Sequence, residues 1–491
     1  MPADSTGREL VPGRAHVRNL FLRLLGVVFL IAFLSLLSQV TLLFGEHGLL
    51  PAQRYLAAIR TTHGLLDAPT LFWINGSDTM LRTVGIAGAL FSVGLILNWA
   101  PRYCLLVLWA LYLSFVTIGQ DLLSFQWDNL LLESAFFALF VTPSGWRPRN
   151  APPPAPFAVL LMQWLLFRVH VESGVAKLLS GDPTWRDLTA MVSYYETAPL
   201  PTWLGWYAHQ MPVWAHQLCA LFTFVVELGV PLFMWGPRRL RVPAFLLMIA
   251  MQVSVILTAN YGFFNYLTMA LCLFVLDDGH LQCLGARVRR ALPAPPPRRS
   301  GPVSRLVGAV LLMVLLPVSV IPFLPFINLA AYQRTLPVRR VLNNFRSINA
   351  YHLFANMTLV RREPVIEGSD DGEHWEAYEF RYKPGDPDRA PRFVAPHQPR
   401  VDFQLWFLLL GGRISAPYFD MLLMRLLEAP PVVAPLFARN PFPAQPPKFV
   451  RVAVYRYRFT DAATRRATGA WWSRELLGTS PPLTRQSLRW H

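Results

Sequence analysis

One apolar stretch follows another along this chain, and that repetition limits its possible folds more than any other feature. Arg8, Arg14, Arg18 and Arg23 precede a run that stays apolar to about Phe44. The run is too long for a signal-peptide core and has no small-residue cleavage site behind it. It therefore predicts an uncleaved first membrane span with a cytoplasmic N-terminus. Further spans are expected over about 79–97, 103–118, 128–142, 157–179, 215–235, 243–258, 262–276 and 303–328. The breaks between them carry helix-ending residues: Pro101, Pro143 with Pro152–Pro154, Gly236-Pro237, and a Pro/Arg-rich stretch at 291–299.

Composition agrees with a membrane protein. Of 491 residues, 53% are hydrophobic and 15% charged, where a soluble domain carries about 25% charged. Disorder, collagen-like repeats and an ordinary cytosolic enzyme are excluded on these figures. The net charge of +16 is spaced around apolar runs, which indicates membrane topology and no nucleic-acid partner. With nine spans, fifteen arginines fall on cytoplasmic segments and four (Arg54, Arg60, Arg82, Arg186) on the opposite side. That asymmetry sets the parity. It requires 243–276 to form two short helices around Asn260-Tyr261-Gly262, since a single tilted helix would turn the basic 287–299 stretch outward.

Beyond about residue 330 the pattern changes. Val365 to Gly372 reads as a strand and turn, Trp375 to Tyr382 alternates like a half-buried strand, and 448–459 alternates more cleanly. Residues 401–428 read as helical, with a break at Gly411-Gly412. The expected fold is an α-helical polytopic membrane protein, residues 1–330 with about nine spans. A mainly β (α+β) soluble domain with a helical segment, residues 331–491, follows on the non-cytoplasmic side.

Ionisable groups inside spans are costly and invite a functional reading. Arg168 and Glu172 lie four apart on one helical face and can form a structural intramembrane pair. Lys177, one of three lysines with Lys383 and Lys448, lies near the outer end of that span, where it could act chemically or merely snorkel. Asp128 and Glu133 could bind a cation, move protons or pair with Arg168, and Glu227 needs a partner on another helix. Lys177, Asp128 and Glu133 are the catalytic candidates, against the plainer reading of structural pairing. The few lysines point to a GC-rich, bacterial genome. No C-x-x-C is formed by Cys104, Cys219, Cys272 and Cys283, and His209 and His216 are separated by Pro212, so no metal or other cofactor is expected. Asn75-Gly76-Ser77 and Asn356-Met357-Thr358 match the glycosylation acceptor pattern on the expected outer side.

Several blocks taken together resemble the lipase maturation factor family. They are Phe125-Gln126-Trp127-Asp128 leading to Glu133, Ser173 to Trp185 (SGVAKLLSGDPTW), Tyr194-Tyr195-Glu196-Thr197 with Pro199-Leu200-Pro201, and Asn260 to Asn265 (NYGFFN). Glu367-Gly368-Ser369, Tyr382 to Asp386 (YKPGD), Ala395 to Arg400 (APHQPR) and Asn440 to Pro443 (NPFP) continue the likeness. The blocks keep their order from about residue 120 to 475. The resemblance implies a maturation factor assisting the folding, assembly and export of secreted lipases or other exported clients. It implies an integral membrane location with the C-terminal domain in the bacterial periplasm, or the endoplasmic-reticulum lumen in a eukaryote. It supplies no catalytic residues.

Gly174, Lys177, Leu178 and Trp185, with Trp127 and Asn129, are also distantly similar to the membrane part of vitamin K-dependent γ-carboxylase. That likeness would imply a membrane enzyme acting on a lipid or quinone-like molecule with Lys177 as base. Gly368 to Trp375 further resembles a short turn found in discoidin-like β-sandwiches. Trp375 and His397 are accordingly the candidate contacts for client or ligand.

Overall fold

The computed structural model describes residues 13–282, 302–410 and 415–488. Arg8, Cys283, the 287–299 stretch, Gly411-Gly412 and His491 lie outside the described residues. Among the described residues, seven helices are long and apolar enough to cross a membrane. They are α1 (Ala15–Leu37), α2 (Asp78–Ile96), α3 (Pro101–Ile118), α5 (Pro156–Leu179), α6 (Val213–Trp235), α7 (Arg238–Thr258) and α9 (Arg305–Ile327). The other two expected spans are the shorter helices α4 (Gln126–Val141) and α8 (Phe264–Val275). Both are mostly buried. Enclosed by the longer helices, they need not match the bilayer with their own length.

Local chemistry explains where these helices start and bend. Pro101 and Pro156 occupy first-turn positions, where a missing N–H costs nothing, and the Ser77 hydroxyl accepts from the Met80 amide to cap α2. The first apolar run breaks at Leu37, and Val40–Phe44 forms a separate short helix. Inside α6 the chain widens into a π turn at Val225–Gly229. Pro231 follows and has no N–H to return to the preceding turn.

The 243–276 stretch is two helices. Between them Asn260 holds an unwound segment: its Nδ2 donates to the carbonyls of Leu200 (3.0 Å) and Arg392 (2.9 Å), and its Oδ1 accepts from the Val394 (2.7 Å) and Ala395 (2.9 Å) amides. Gly262 adopts φ +55° beside Gln398, a conformation and a closeness that favour glycine. The break that looks weakest in sequence is therefore tied firmly to the C-terminal half.

That half is α+β. An antiparallel sheet runs in the order β2 (Glu376–Ala377), β1 (Arg361–Ser369), β5 (Phe449–Phe459), β6 (Trp472–Thr479). β1 and β5 pair from Arg361↔Tyr457 to Ser369↔Phe449. A second sheet joins β3 (Glu379–Phe380) to β4 (Phe437–Arg439). Helices α10 (Arg400–Leu408) and α11 (Pro417–Glu428) occupy the segment expected to be helical. The expected single strand over Trp375–Tyr382 is instead split between the two sheets. Tyr378 causes the split by turning its buried ring against Phe437 (5.0 Å) and Phe442 (6.1 Å). Strand β6 was not anticipated: outside Trp472 it is exposed, so it lacks the alternation that marks a half-buried strand.

Arg361, at the start of β1, is fully buried. It donates to the carbonyls of Glu196 (2.9 Å), Ala198 (2.5 Å) and Pro199 (2.9 Å) and pairs with Glu363 at 2.5 Å. Lys383 pairs with the other Glu363 oxygen at 2.9 Å. Arg361→Ala would leave Glu363 with Lys383 alone and strand three carbonyls. We expect a loss of about 3–5 kcal/mol, read as a lower midpoint of tryptophan-fluorescence unfolding in detergent, while Arg458→Ala at the exposed end of β5 leaves the midpoint within error.

Candidate functional site

The ionisable candidates of the spans and their partners form three separate buried sites. In the first, Arg168 on α5 pairs with Glu172 (2.8 Å) on the same helix and with Glu133 (2.5 Å) on α4. Its remaining nitrogen donates to the Asn349 carbonyl. The segment after α9 completes the set: Glu133 accepts from the Asn349 amide (2.8 Å) and the Tyr351 hydroxyl (2.7 Å), and Glu172 from the Tyr351 amide (2.7 Å). All three charged side chains have zero exposure. A charge kept this far from water persists only when its partners are this complete.

The second site binds α4 to α10. Asp128 accepts from both terminal nitrogens of Arg400 (2.6 and 2.8 Å) and from the Tyr112 hydroxyl (2.5 Å) on α3. The paired, parallel bonds of guanidinium and carboxylate fix orientation as well as distance. Two more links join this segment to the first apolar run, one at Ser35 in α1 and one at Gln39 just beyond it. His397 Nδ1 bonds the Ser35 hydroxyl at 2.9 Å, and Gln39 bridges to the Gln398 carbonyl (2.8 Å) and the Arg400 amide (3.1 Å).

In the third site Lys177 Nζ lies 2.8 and 2.9 Å from the two Glu227 oxygens and 5.3 Å from the Trp185 ring centre. Glu227 sits in the π turn of α6, and a Cβ on Gly174 would collide with Leu228 at 2.7 Å, so the helices meet at a glycine. Beside this pair lies a cavity of about 210 Å³. Its wall includes Trp127, His170, Ser173, Lys177, Glu227 and Gln252, with Met191, Phe222, Met251, Val255 and Phe354 supplying apolar surface. Asp128 and Glu133 do not line it. The three catalytic candidates thus occupy three sites and are not brought together.

Trp375 donates its indole N–H to the Gly372 carbonyl (3.1 Å), and its face is covered by the Arg451 guanidinium at 4.1 Å. His397 is spent on Ser35 and lies against the Tyr382 ring. The residues that sequence reasoning missed are the partners: Arg400, Asn349, Tyr351 and Arg361. Arg400 stood within a recognised block, but nothing local shows that its counter-ion is 272 positions away. Two of the three lysines, Lys177 and Lys383, are buried and paired, so lysine scarcity was a usable signal.

At the end of α5, Asp182 accepts from the Thr184 amide (2.8 Å) and hydroxyl (2.7 Å) and from the Met357 amide (2.6 Å). Burial opposes its charge, yet the bonds from Met357 and Thr184 outweigh that and hold the carboxyl below its ordinary value. A depressed acid stabilises the fold above its unfolded pKa of about 3.9 and loses that contribution as pH falls through the folded value. The midpoint gap between wild type and Asp182→Asn should be constant from pH 7 to 5 and close below about pH 4. Detergent unfolding across that range checks it.

Comparison with known proteins matches the lipase maturation factor transmembrane domain at residues 16–283 and the lipase maturation factor C-terminal domain at residues 347–482. The chain is 34% identical to lipase maturation factor 2 of Gallus gallus, over 93% of this chain and 80% of the relative. It is 33% identical to lipase maturation factor 2 of Homo sapiens (93% and 81%). Lipase maturation factor 1 of Bos taurus is also 33% identical (96% and 90%). No solved structure matches.

Proposed function

The chain belongs to the lipase maturation factor family, and from that premise we propose that it assists the folding, assembly and export of secreted proteins, lipases among them. In this reading residues 1–330 anchor the protein in a bacterial inner membrane, and residues 331–491 receive clients on the periplasmic side. The buried charges of the first two sites act as struts between the two parts and the Lys177–Glu227 pair as a strut within the first, not as a catalytic set. Each carboxylate named as a candidate is already neutralised at hydrogen-bond distance.

The observation that carries the client-binding reading is the free edge of β6. It ends the four-stranded sheet, and every residue after Trp472 is exposed, with Leu476 and Leu477 at 52% and 44%. Edge strands with open backbone groups pair with other extended chains unless they are blunted. Here the Trp472 amide already donates to the Pro387 carbonyl (3.1 Å) and a bulge lies at Leu477, which leaves the stretch from Ser473 to Leu476 as the open edge. An unfinished exported chain offers the matching extended segment and apolar side chains.

Deleting the gene should lower the activity and abundance of secreted lipases, and wild type should restore both. Leu476→Lys with Leu477→Lys, at matched membrane level and unchanged unfolding midpoint, should restore less than half. A deletion strain with every secreted lipase unchanged would remove this function. A C-terminal reporter active only in the cytoplasm would reverse the sidedness.

A further inference from the structure

We propose that two adjoining clefts, at the membrane end away from the C-terminal half, hold the phosphate of an anionic phospholipid. The C-terminal half meets α1 at its far end, through Ser35 and Gln39; the clefts lie at its beginning. The first ground is convergence. Arg18 near the start of α1, Arg102 in the first turn of α3, and Arg147 and Arg149 after α4 line one cleft of about 500 Å³. Arg149 is shared with a second cleft of about 270 Å³, which Arg23 of α1 also lines. No acidic residue lines either cleft among the described residues. Membrane topology asks only that arginines be numerous at the retained end. It does not ask that segments far apart in sequence bring theirs to one place.

The second ground is charge. Arg18 is buried and fixes one wall, donating to the carbonyls of Pro152 (2.7 Å) and Ala151 (3.4 Å). Arg102 donates to the Thr142 carbonyl (2.6 Å), and Arg147 lies over the Trp99 ring at 5.2 Å. Carbonyls and an indole face orient a guanidinium without removing its charge. Arg23, Arg102, Arg147 and Arg149 are exposed, and among the described residues none of them has a carboxylate at ion-pair distance. Asp277 and Asp278, at the same end, are already engaged. Asp277 pairs with Arg238 and His280, and Asp278 accepts from the Ala15, His16 and Val17 amides. Open cations around a common space call for an anion, and the guanidinium fork matches phosphate oxygens. The third ground is depth. Trp99, Tyr103 and Trp146, which neighbour these arginines in sequence, are 45%, 66% and 75% exposed. Exposed aromatic rings at helix ends mark the headgroup level of a bilayer, where basic pockets between helix ends bind lipid phosphate. A zwitterionic headgroup would bring its own cation into this cluster, so a net negative one is favoured.

The test uses the full-length protein, stripped of lipid in a neutral maltoside detergent. Adducts are counted by native mass spectrometry as dioleoylphosphatidylglycerol, dioleoylphosphatidylcholine or inorganic phosphate is titrated. Phosphatidylglycerol should bind about tenfold more tightly than phosphatidylcholine, and inorganic phosphate at matched ionic strength should not displace it. Arg147→Gln with Arg149→Gln should weaken phosphatidylglycerol about tenfold, the size expected for two charges at a membrane surface. Arg54→Gln with Arg60→Gln, an equal loss of exposed charge beyond the far end of α1, should change it less than about twofold. Asn150→Glu leaves every arginine in place and sets a carboxylate in the larger cleft. It should also weaken phosphatidylglycerol, and it is the second measurement if the double variant does not insert. Equal affinity for the two lipids, or equal loss in the two double variants, would overturn the site. Displacement by inorganic phosphate would make it a site for free anions and overturn the lipid. None of these readouts involves lipase maturation, so this proposal and the client reading stand or fall separately.

Discussion

A single guanidinium, that of Arg168, sets the terms on which the two halves of this protein meet. It lies out of reach of water between two carboxylates on α4 and α5. Their remaining oxygen capacity is filled by donors from a different part of the chain, the Asn349 and Tyr351 amides and the Tyr351 hydroxyl. Burying such a cluster does not by itself favour folding over an apolar core. What it provides is position: the segment after α9 can satisfy it in one register only. The same logic recurs where Asp128 receives Arg400 and where Asn260 clamps 392–395.

The irregular stretches serve these contacts. The π turn in α6 carries Glu227 to Lys177, and Gly174 lets the two helices approach closely enough for the pair to close. The unwound turn between α7 and α8 exposes backbone that would be costly in lipid; Leu200 and Thr202 pair with that backbone, and the Asn260 side chain ties the turn to the Arg392 carbonyl. Departures from regular helix therefore coincide with the places where polar side chains join one segment to another.

Much of this was legible beforehand. Apolar runs and their Pro and Gly punctuation located the seven described helices that are long enough to cross, because length in a bilayer is a one-dimensional constraint that sequence states directly. Alternation found β5, since its buried and open residues take turns, but it could not find β6, whose residues after Trp472 are open on both faces. Tyr378 split a strand that looked continuous, because which sheet a residue joins depends on neighbours nearly sixty positions away at Phe437. The charged residues themselves were visible as anomalies in apolar surroundings. Their partners were not, since Arg400 and Asn349 sit in polar sequence where a charge or amide is unremarked.

The distance in sequence between Asp128 and Arg400 has a consequence in time. A chain is made from its N-terminus, so the acid is inside its helix hairpin long before the ribosome reaches the cation 272 residues later. Until then it has the Tyr112 hydroxyl but not its bidentate partner. The early helices therefore wait, during synthesis, for a contact that belongs to the finished protein, and the membrane part is complete only once the late half has been made.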